Sequence, residues 1–224
     1  CIKGEIIIWD VESGQPDQIL QDHTDCVTSV AWLSEEKLAS ASWDNVIIIW
    51  DVSTGQPEQT LLGHVDYVTS IAWSSQGYLA SGSHDNTVIV WDLETGQPSQ
   101  ILQGHADGIW SVAWSSDGRL ASASYDGTVI VWDLESGKPQ QILPGHLNWQ
   151  SGMDWTSNEL LAYGSDENVI KIWNMDPETW IQRNCQRAGR NLTEEEWNLY
   201  LYWKGPYDPG YKTCDQWPVP YIVL

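Results

Sequence analysis

Residues 1–174 repeat one alternation of apolar and polar positions. In the third complete copy, runs rich in Val, Ile and Trp occupy residues 108–114, 120–124, 128–133 and, more weakly, 140–143. Clusters of Ser, Asp, Gly and Pro separate these runs, as they separate strands in sheets. The pattern therefore predicts four short strands in each copy and an all-β fold.

A histidine and a tryptophan each recur every 41 residues, without an insertion or deletion. They are the histidines His23, His64, His105 and His146 and the tryptophans Trp9, Trp50, Trp91, Trp132 and Trp173. A period of roughly 40–45 residues with such marks is typical of four-stranded propeller blades. Over residues 1–174 the sequence resembles the WD-repeat (Trp-Asp repeat) family. The resemblance implies a β-propeller segment of four-stranded antiparallel blades, with four full repeats and a half blade.

The turns and strands of each copy carry further signals. Asp44-Asn45, Asp85-Asn86 and Asp126-Gly127 predict two-residue hairpin turns, because Asn and Gly tolerate positive φ. A proline after the following turn lacks a backbone donor, so the fourth strand is predicted to be an edge strand. The run 46–49 is apolar on both faces, which favours a sheet packed between two neighbouring sheets.

The resemblance implies a hydrogen-bonded chain inside each of three blades, made by a loop His, a strand Ser, a turn Asp and a strand Trp. The residues are His23, Ser40, Asp44 and Trp50; His64, Ser81, Asp85 and Trp91; and His105, Ser122, Asp126 and Trp132. Ser, His and Asp together also suggest a hydrolase. A catalytic site occurs once and is exposed, however, whereas this set repeats, so we predict architecture and no enzyme. In the fourth copy Tyr163 and Glu167 replace Ser and Asp.

Three positions in each repeat are implied by the resemblance to ring one end of the propeller channel. Half of the twelve occupants are aromatic or His, namely Trp43, Tyr67, His84, Trp110, Tyr125 and Trp149. They vary while the surrounding frame stays constant, and exposed Trp and Tyr are frequent binding hot spots. We therefore predict a protein- or peptide-binding surface at these residues. The alternative is that Trp43 and Trp110 only pack against neighbouring blades.

The net charge of −21 narrows the possible partners. Residues 1–170 contain four cationic side chains, Lys3, Lys37, Arg119 and Lys138. The sequence therefore lacks the stripe of Lys and Arg that neutralises the phosphates of a nucleic acid. Nucleic acid and anionic membranes are excluded as partners, and a basic protein is allowed. The histidines are not spaced as a metal pair and the cysteines form no CxxC, so no metal or cofactor is predicted. The sequence shows no signal peptide, which favours a cytoplasmic location.

The sequence begins at the turn before a third strand, so its first blade is a half blade. We expect a C-terminal part of a longer protein, whose upstream blades complete the ring. The alternative is self-association, in which open blade edges complete a ring with another chain.

Residues 175–224 change character and are predicted to form an extension with two short helices. One begins at Asp176-Pro177-Glu178, with a cap and a proline at its first position. The other begins at Thr193, which forms a capping box with Glu196. Reduced Cys185 and Cys214 are expected in a cytosolic protein, and a disulfide between them stays open.

This extension resembles the segment after the last blade in large bacterial WD-repeat proteins, many of which carry an upstream NACHT or NB-ARC-type domain. The matching residues are Cys185, Ala188-Gly189-Arg190-Asn191-Leu192-Thr193, Glu196-Trp197, Tyr200 and Tyr211-Lys212-Thr213-Cys214. The resemblance implies a sensor or scaffold module in a bacterial signalling protein.

Overall fold

The computed structural model describes residues 4–144, 152–156, 160–164 and 170–175. These residues form strands and connecting turns, with no helix among them, and the predicted all-β class is confirmed. A two-stranded antiparallel sheet comes first, with strands β1 (Gly4–Trp9) and β2 (Pro16–His23). Three four-stranded antiparallel sheets follow along the chain.

Each of the three complete sheets takes its strands in chain order. The first contains β3 (Val27–Trp32), β4 (Lys37–Ser42), β5 (Ile47–Asp51) and β6 (Gln56–Leu61). The second contains β7 (Val68–Trp73), β8 (Leu79–Ser83), β9 (Thr87–Asp92) and β10 (Gln97–Gln103). The third contains β11 (Ile109–Trp114), β12 (Leu120–Ser124), β13 (Thr128–Asp133) and β14 (Lys138–Pro144). In the fourth copy the described strands are β15 (Met153–Trp155), β16 (Leu160–Gly164) and β17 (Ile170–Asn174), in that order.

The fourth strand lies at the edge of each complete sheet, as predicted, and it includes the proline that was expected in the turn before it. Pro57, Pro98 and Pro139 pair with Trp50, Trp91 and Trp132, and a bulge interrupts the register beside each of them. A proline is tolerated there because an edge strand is hydrogen-bonded on one side only. The bulge re-aligns the strand after the residue that cannot donate.

In the three complete sheets both faces of the third strand are buried, which confirms the interpretation of the run 46–49. Ile47 and Ile49 pack in a core shared with Leu79 of the next sheet. Ile48 packs on the opposite face, in a core with Leu20 of the preceding sheet. Alternate side chains of one strand therefore join two different neighbours, as the period of two in a strand requires.

Threonine side chains also bond successive sheets together. Thr28 Oγ1 donates to the carbonyl of Val68 at 2.7 Å, and Thr69 Oγ1 donates to the carbonyl of Ile109 at 2.6 Å. Each bond runs from the first strand of one sheet to the first strand of the next. Trp110 stands at the same position of the third sheet.

The turn between the second and third strands differs from the prediction. Asn45 has φ of 70° and is the only residue of its turn at positive φ; its amide donates to Ser42 O. A two-residue type I′ turn needs positive φ at both central residues, so that prediction is wrong. The turn is a three-residue loop, and the residue before the Asp lies inside it. The three loops, called aspartate turns here, are residues 43–45, 84–86 and 125–127.

The chain divides into two compact units, one of residues 1–157 and 162–171 and one of residues 158–161 and 172–224. The predicted helices, Cys185 and Cys214 lie outside the described residues. The domain boundary predicted at residue 174 therefore stays a prediction. Among the described residues there is no helix long and apolar enough to cross a membrane.

Candidate functional site

Each complete sheet contains one chain of four polar side chains at the end that carries its aspartate turn. In the first, second and third complete sheets, the distance from His Nδ1 to Asp Oδ2 is 2.9, 2.8 and 2.9 Å. From His to Ser, the Nε2–Oγ distances are 2.7, 2.7 and 2.8 Å. Each Trp Nε1–H donates to the same Ser Oγ at 2.8 Å. All twelve residues named for this chain take part in it.

Charge in the third sheet follows from burial and hydrogen bonding. Burial lowers the pKa of His105 below its ordinary 6.5, although the neighbouring Asp126 opposes the shift. Burial by itself would raise the pKa of Asp126. Hydrogen bonds from Thr128, the Ala106 amide and His105 outweigh it, and the pKa of this carboxyl lies below 3.8. At neutral pH the pair is a neutral imidazole beside a carboxylate.

These protonation states determine the direction of every bond in the chain. The indole of Trp132 can only donate, so Ser122 Oγ accepts from it. The carboxylate of Asp126 can only accept, so the imidazole proton lies on Nδ1. Nε2 of His105 then carries no proton and accepts a hydrogen bond from the Ser122 hydroxyl. Each donor has an acceptor, which is the condition for burying such groups without loss of stability.

The Asp–His–Ser order matches that of a serine hydrolase, but the surroundings do not. Ser40, Ser81 and Ser122 are each 0% exposed, and each already accepts an indole N–H. A nucleophile must reach a substrate carbonyl. The repeated chains therefore serve to join two loops of each blade.

Four of the six predicted binding residues form a continuous row of rings across three sheets. Trp43 stacks on Tyr67 with ring centroids 5.5 Å apart and planes at 27°. Tyr67 meets His84 edge-on at 5.9 Å, and His84 lies 5.3 Å from Tyr125. Trp43 and Tyr67 remain 43% and 44% exposed despite their contact. These four residues are called the aromatic row.

Gly108 makes room for the last contact of the row. It occupies the position held by Tyr67 in the second sheet. A Cβ built on Gly108 would lie 3.1 Å from Cα of His84 and 3.3 Å from its ring. The absent side chain therefore allows His84 to lie against the third sheet, beside Tyr125.

A fifth predicted residue, Trp110, is not part of the aromatic row. Trp110 is only 9% exposed, so it packs within the protein, the alternative weighed for it above. It occupies the position from which Thr28 and Thr69 bond to the next sheet. Trp149 falls outside the described residues. Tyr163, which replaces the Ser in the fourth copy, is fully buried.

Sequence reasoning overlooked four exposed residues beside the row. Asp25, Asp66 and Asp107 each follow a loop histidine by two positions. Val65, which is 82% exposed, lies between His64 and Asp66. The signal for the aspartates was an Asp at the same position of three aligned repeats, directly before a position whose occupant varies. The histidine loops, residues 22–26, 63–67 and 104–108, thus carry both this constant Asp and the variable residue.

Repeated four-stranded sheets with one Asp–His–Ser–Trp chain each define a blade-type repeat protein. A family model described as WD domain, G-beta repeat, matches residues 14–51, 55–92, 96–133 and 137–174. These matches cover more than half of the chain, which therefore belongs to this family. Its domains are generally protein-binding scaffolds and are typically non-catalytic. In a comparison with curated proteins no relative was found.

Each matched segment spans parts of two sheets. The segment 55–92 starts before β6, the fourth strand of one sheet, and ends with β9, the third strand of the next. Each of the first three matched segments therefore contains its own histidine loop and aspartate turn. Within the described residues no three His, Cys, Asp or Glu side chains cluster in a way that could hold a metal ion.

Removing either aspartate from the polar chains should destabilise the fold. Asp85 accepts from His64 Nδ1, the Val65 amide and both donors of Thr87. In Asp85→Ala and in Asp126→Ala these donors lose their acceptor, at a cost of more than about 1 kcal/mol of unfolding free energy. Urea unfolding measures the loss. Asp92→Ala, which removes an exposed carboxylate, should lose less, and unchanged midpoints in both test variants would contradict the prediction.

Stability should also fall as the pH is lowered from 7 to 5. The pKa of His105 is lower in the folded chain than its ordinary 6.5, so the unfolded chain takes up a proton first. The stabilising contribution is complete above pH 6.5 and is lost as the pH falls through the folded pKa. Urea midpoints of His105→Gln should depend on pH less steeply, by at most about 1.4 kcal/mol per pH unit, the slope for one proton. Equal slopes would contradict this assignment.

Proposed function

We propose that this chain is a non-catalytic module that binds a protein or peptide at the aromatic row. In our proposal it is the sensor or scaffold arm of a larger bacterial signalling protein in the cytoplasm. The observation that carries the binding proposal is the row itself: Trp43, Tyr67, His84 and Tyr125 are in contact across three sheets.

The row combines exposure with a fixed backbone. The amide of Trp43 donates to Cys26 O at 3.0 Å, and the amide of His84 donates to Tyr67 O at 2.9 Å. Each bond joins an aspartate turn to a histidine loop and does not depend on the side chain that the residue carries. Rings on a rigid frame lose little entropy when a partner binds, which is why Trp and Tyr are efficient contact residues.

The wider context rests on sequence. The bacterial signalling role is supported by the resemblance of residues 185–214 to the segment after the last blade of bacterial WD-repeat proteins. The cytoplasmic location is supported by the sequence, in which the four cysteines do not have the spacing of a disulfide framework; Cys26, the one described cysteine, is a free thiol.

Loss of two rings from the row should abolish most binding. Peptides selected from a phage-displayed random library on the full chain should bind Trp43→Ala/Tyr67→Ala at least about tenfold more weakly, as expected for two hot-spot residues. Titration of fluorescent peptides measures the change. Tyr78→Ala is the matched control, because Tyr78 is 49% exposed and pairs with Trp114 at 6.2 Å, at the other end of its sheet.

Equal affinities for the double variant and the native chain would contradict binding at the row. Urea midpoints of both variants, measured in parallel, separate a lost contact from a lost fold.

A second candidate is an assembly role, favoured by exposed apolar side chains at the first two sheets. Val30 is 50% exposed, whereas Ile71, at the same position of the next sheet, is 6% exposed. Ile71 is covered by the core of the preceding four-stranded sheet, including Ala39 and Ala41 of its second strand. The sheet before Val30 has two described strands, and Ile7 on it is exposed as well. Strands of another chain would cover these residues.

Self-association through this face should appear as a mass that rises with concentration. Light scattering on the full chain should show the rise, and Val30→Lys should suppress it, since burying an unpaired charge is unfavourable. Ile101→Lys is the control, because Ile101 is equally apolar and 53% exposed on the edge strand β10. A monomeric mass at all concentrations would contradict the assembly role.

A further inference from the structure

We propose that the segment bound at the aromatic row is a peptide that presents a lysine or arginine side chain. The cation would lie over the exposed rings of Trp43 and Tyr67, beside the carboxylates of Asp25 and Asp66. The inference rests on the proposed function and adds the chemistry of the partner. Three observations support it: the placement of the carboxylates, the distribution of charge, and the exposed ring faces.

The carboxylates of the histidine loops are held by the backbone amides of the same loops. Oδ1 of Asp25 accepts the Cys26 amide at 2.7 Å, and Oδ1 of Asp66 accepts the Tyr67 amide at 2.8 Å. Asp107 does the same with the Gly108 amide at 2.7 Å. Tyr67 belongs to the row, and the carbonyls of Cys26 and Gly108 accept the amides of the row residues Trp43 and Tyr125. The second oxygen of each has no hydrogen-bond partner among the described residues, so it can accept from a ligand.

Among the described residues, the charged side chains of the histidine loops and aspartate turns are all acidic. The histidine loops and aspartate turns contain no Lys or Arg. Within residues 4–144 the cations are Lys37, Arg119 and Lys138, which lie in or beside turns at the opposite end of the sheets. Lys37 and Arg119 are paired there with Glu58 and Asp117. A cationic partner segment meets attraction at the row and no competing Lys or Arg of the described loops and turns, whereas an acidic segment is repelled.

The ring faces provide the second contact for a cation. Trp43 and Tyr67 are stacked at 27°, so each uses one face on the other and keeps nearly half of its surface open. A guanidinium or ammonium group over such a face is attracted by the ring quadrupole. The chain itself contains this contact, with Arg119 5.1 Å above the Trp155 ring. A wholly apolar peptide would instead bury carboxylates without a partner, which is unfavourable.

The test compares three random peptide libraries of equal length, with Arg, Glu or Leu fixed at the central position. Binding of the fluorescently labelled full chain to each immobilised library is measured at low and high salt. The Arg library is expected to bind on the order of tenfold better than the Glu library at low salt, and the difference should shrink at high salt because screening weakens charge pairs.

A matched pair of triple variants isolates the carboxylates. Asp25→Asn/Asp66→Asn/Asp107→Asn removes three charges but keeps an oxygen that accepts the next amide, so the loops stay capped. Asp10→Asn/Asp51→Asn/Asp92→Asn makes the same change of net charge at turns on the opposite end, where these aspartates also accept backbone amides. The first variant should bind the Arg library roughly tenfold more weakly, and the second about as well as the native chain.

Two failures are distinguishable. If the Leu or Glu library binds as well as the Arg library, and Trp43→Ala/Tyr67→Ala still removes that binding, the cationic partner is wrong while the aromatic row remains the binding surface. If all three libraries bind the native chain and the Trp43→Ala/Tyr67→Ala variant equally, or none binds, both proposals are wrong. An equal loss in the two triple variants would assign the effect to net charge and overturn the specific placement.

Discussion

The hydrogen bond between a loop histidine and a turn aspartate is the contact on which the rest of each blade end depends. It joins two segments that are about twenty residues apart in the chain but lie side by side at one end of the sheet, at 2.8 Å for His64 and Asp85. Burial keeps His105 neutral, and the hydrogen bonds to Asp126 keep that carboxyl ionised, so the bond has one stable proton arrangement. Two further bonds close the same end of the sheet: the Val65 amide donates to the Asp85 carboxylate at 3.1 Å, and the His84 amide donates to Tyr67 O at 2.9 Å.

This arrangement separates the residues that build the blade from those that a partner would meet. His, Ser, Asp and Trp of the polar chain point into the protein and recur in all three complete sheets. The residues immediately next to them, such as Trp43 before Asp44 and Asp66 after Val65, point outward and are exposed. Changes at the outward positions leave the buried hydrogen bonds intact, so one frame can present different surfaces.

The fold was largely predictable from the sequence, because the strand pattern and the 41-residue spacing are properties of single positions. The turn was not, since Asn45 and Gly127 are compatible with both a two-residue and a three-residue loop, and the choice depends on the register of the flanking strands. The burial of Trp110 was also beyond the sequence. Spacing showed that Trp110 stands where Thr28 and Thr69 stand, but the depth of that position depends on the neighbouring sheet. The acidic residues of the histidine loops were visible in the sequence, but their bonds to the next backbone amides were not.

The offset between the sequence repeat and the sheet has a consequence for how such a chain can grow. Each matched segment supplies the edge strand of one sheet and three strands of the next. If one segment is duplicated in the gene, the first strand of the copy completes the sheet before it, and its other three strands pair with the first strand of the segment that follows. The inserted copy brings its own histidine, serine, aspartate and tryptophan, so the polar chain of the new sheet forms without a compensating change elsewhere. Three closely similar copies and a fourth, more divergent one, all spaced by 41 residues without an insertion or deletion, are the product that such tandem copying would leave.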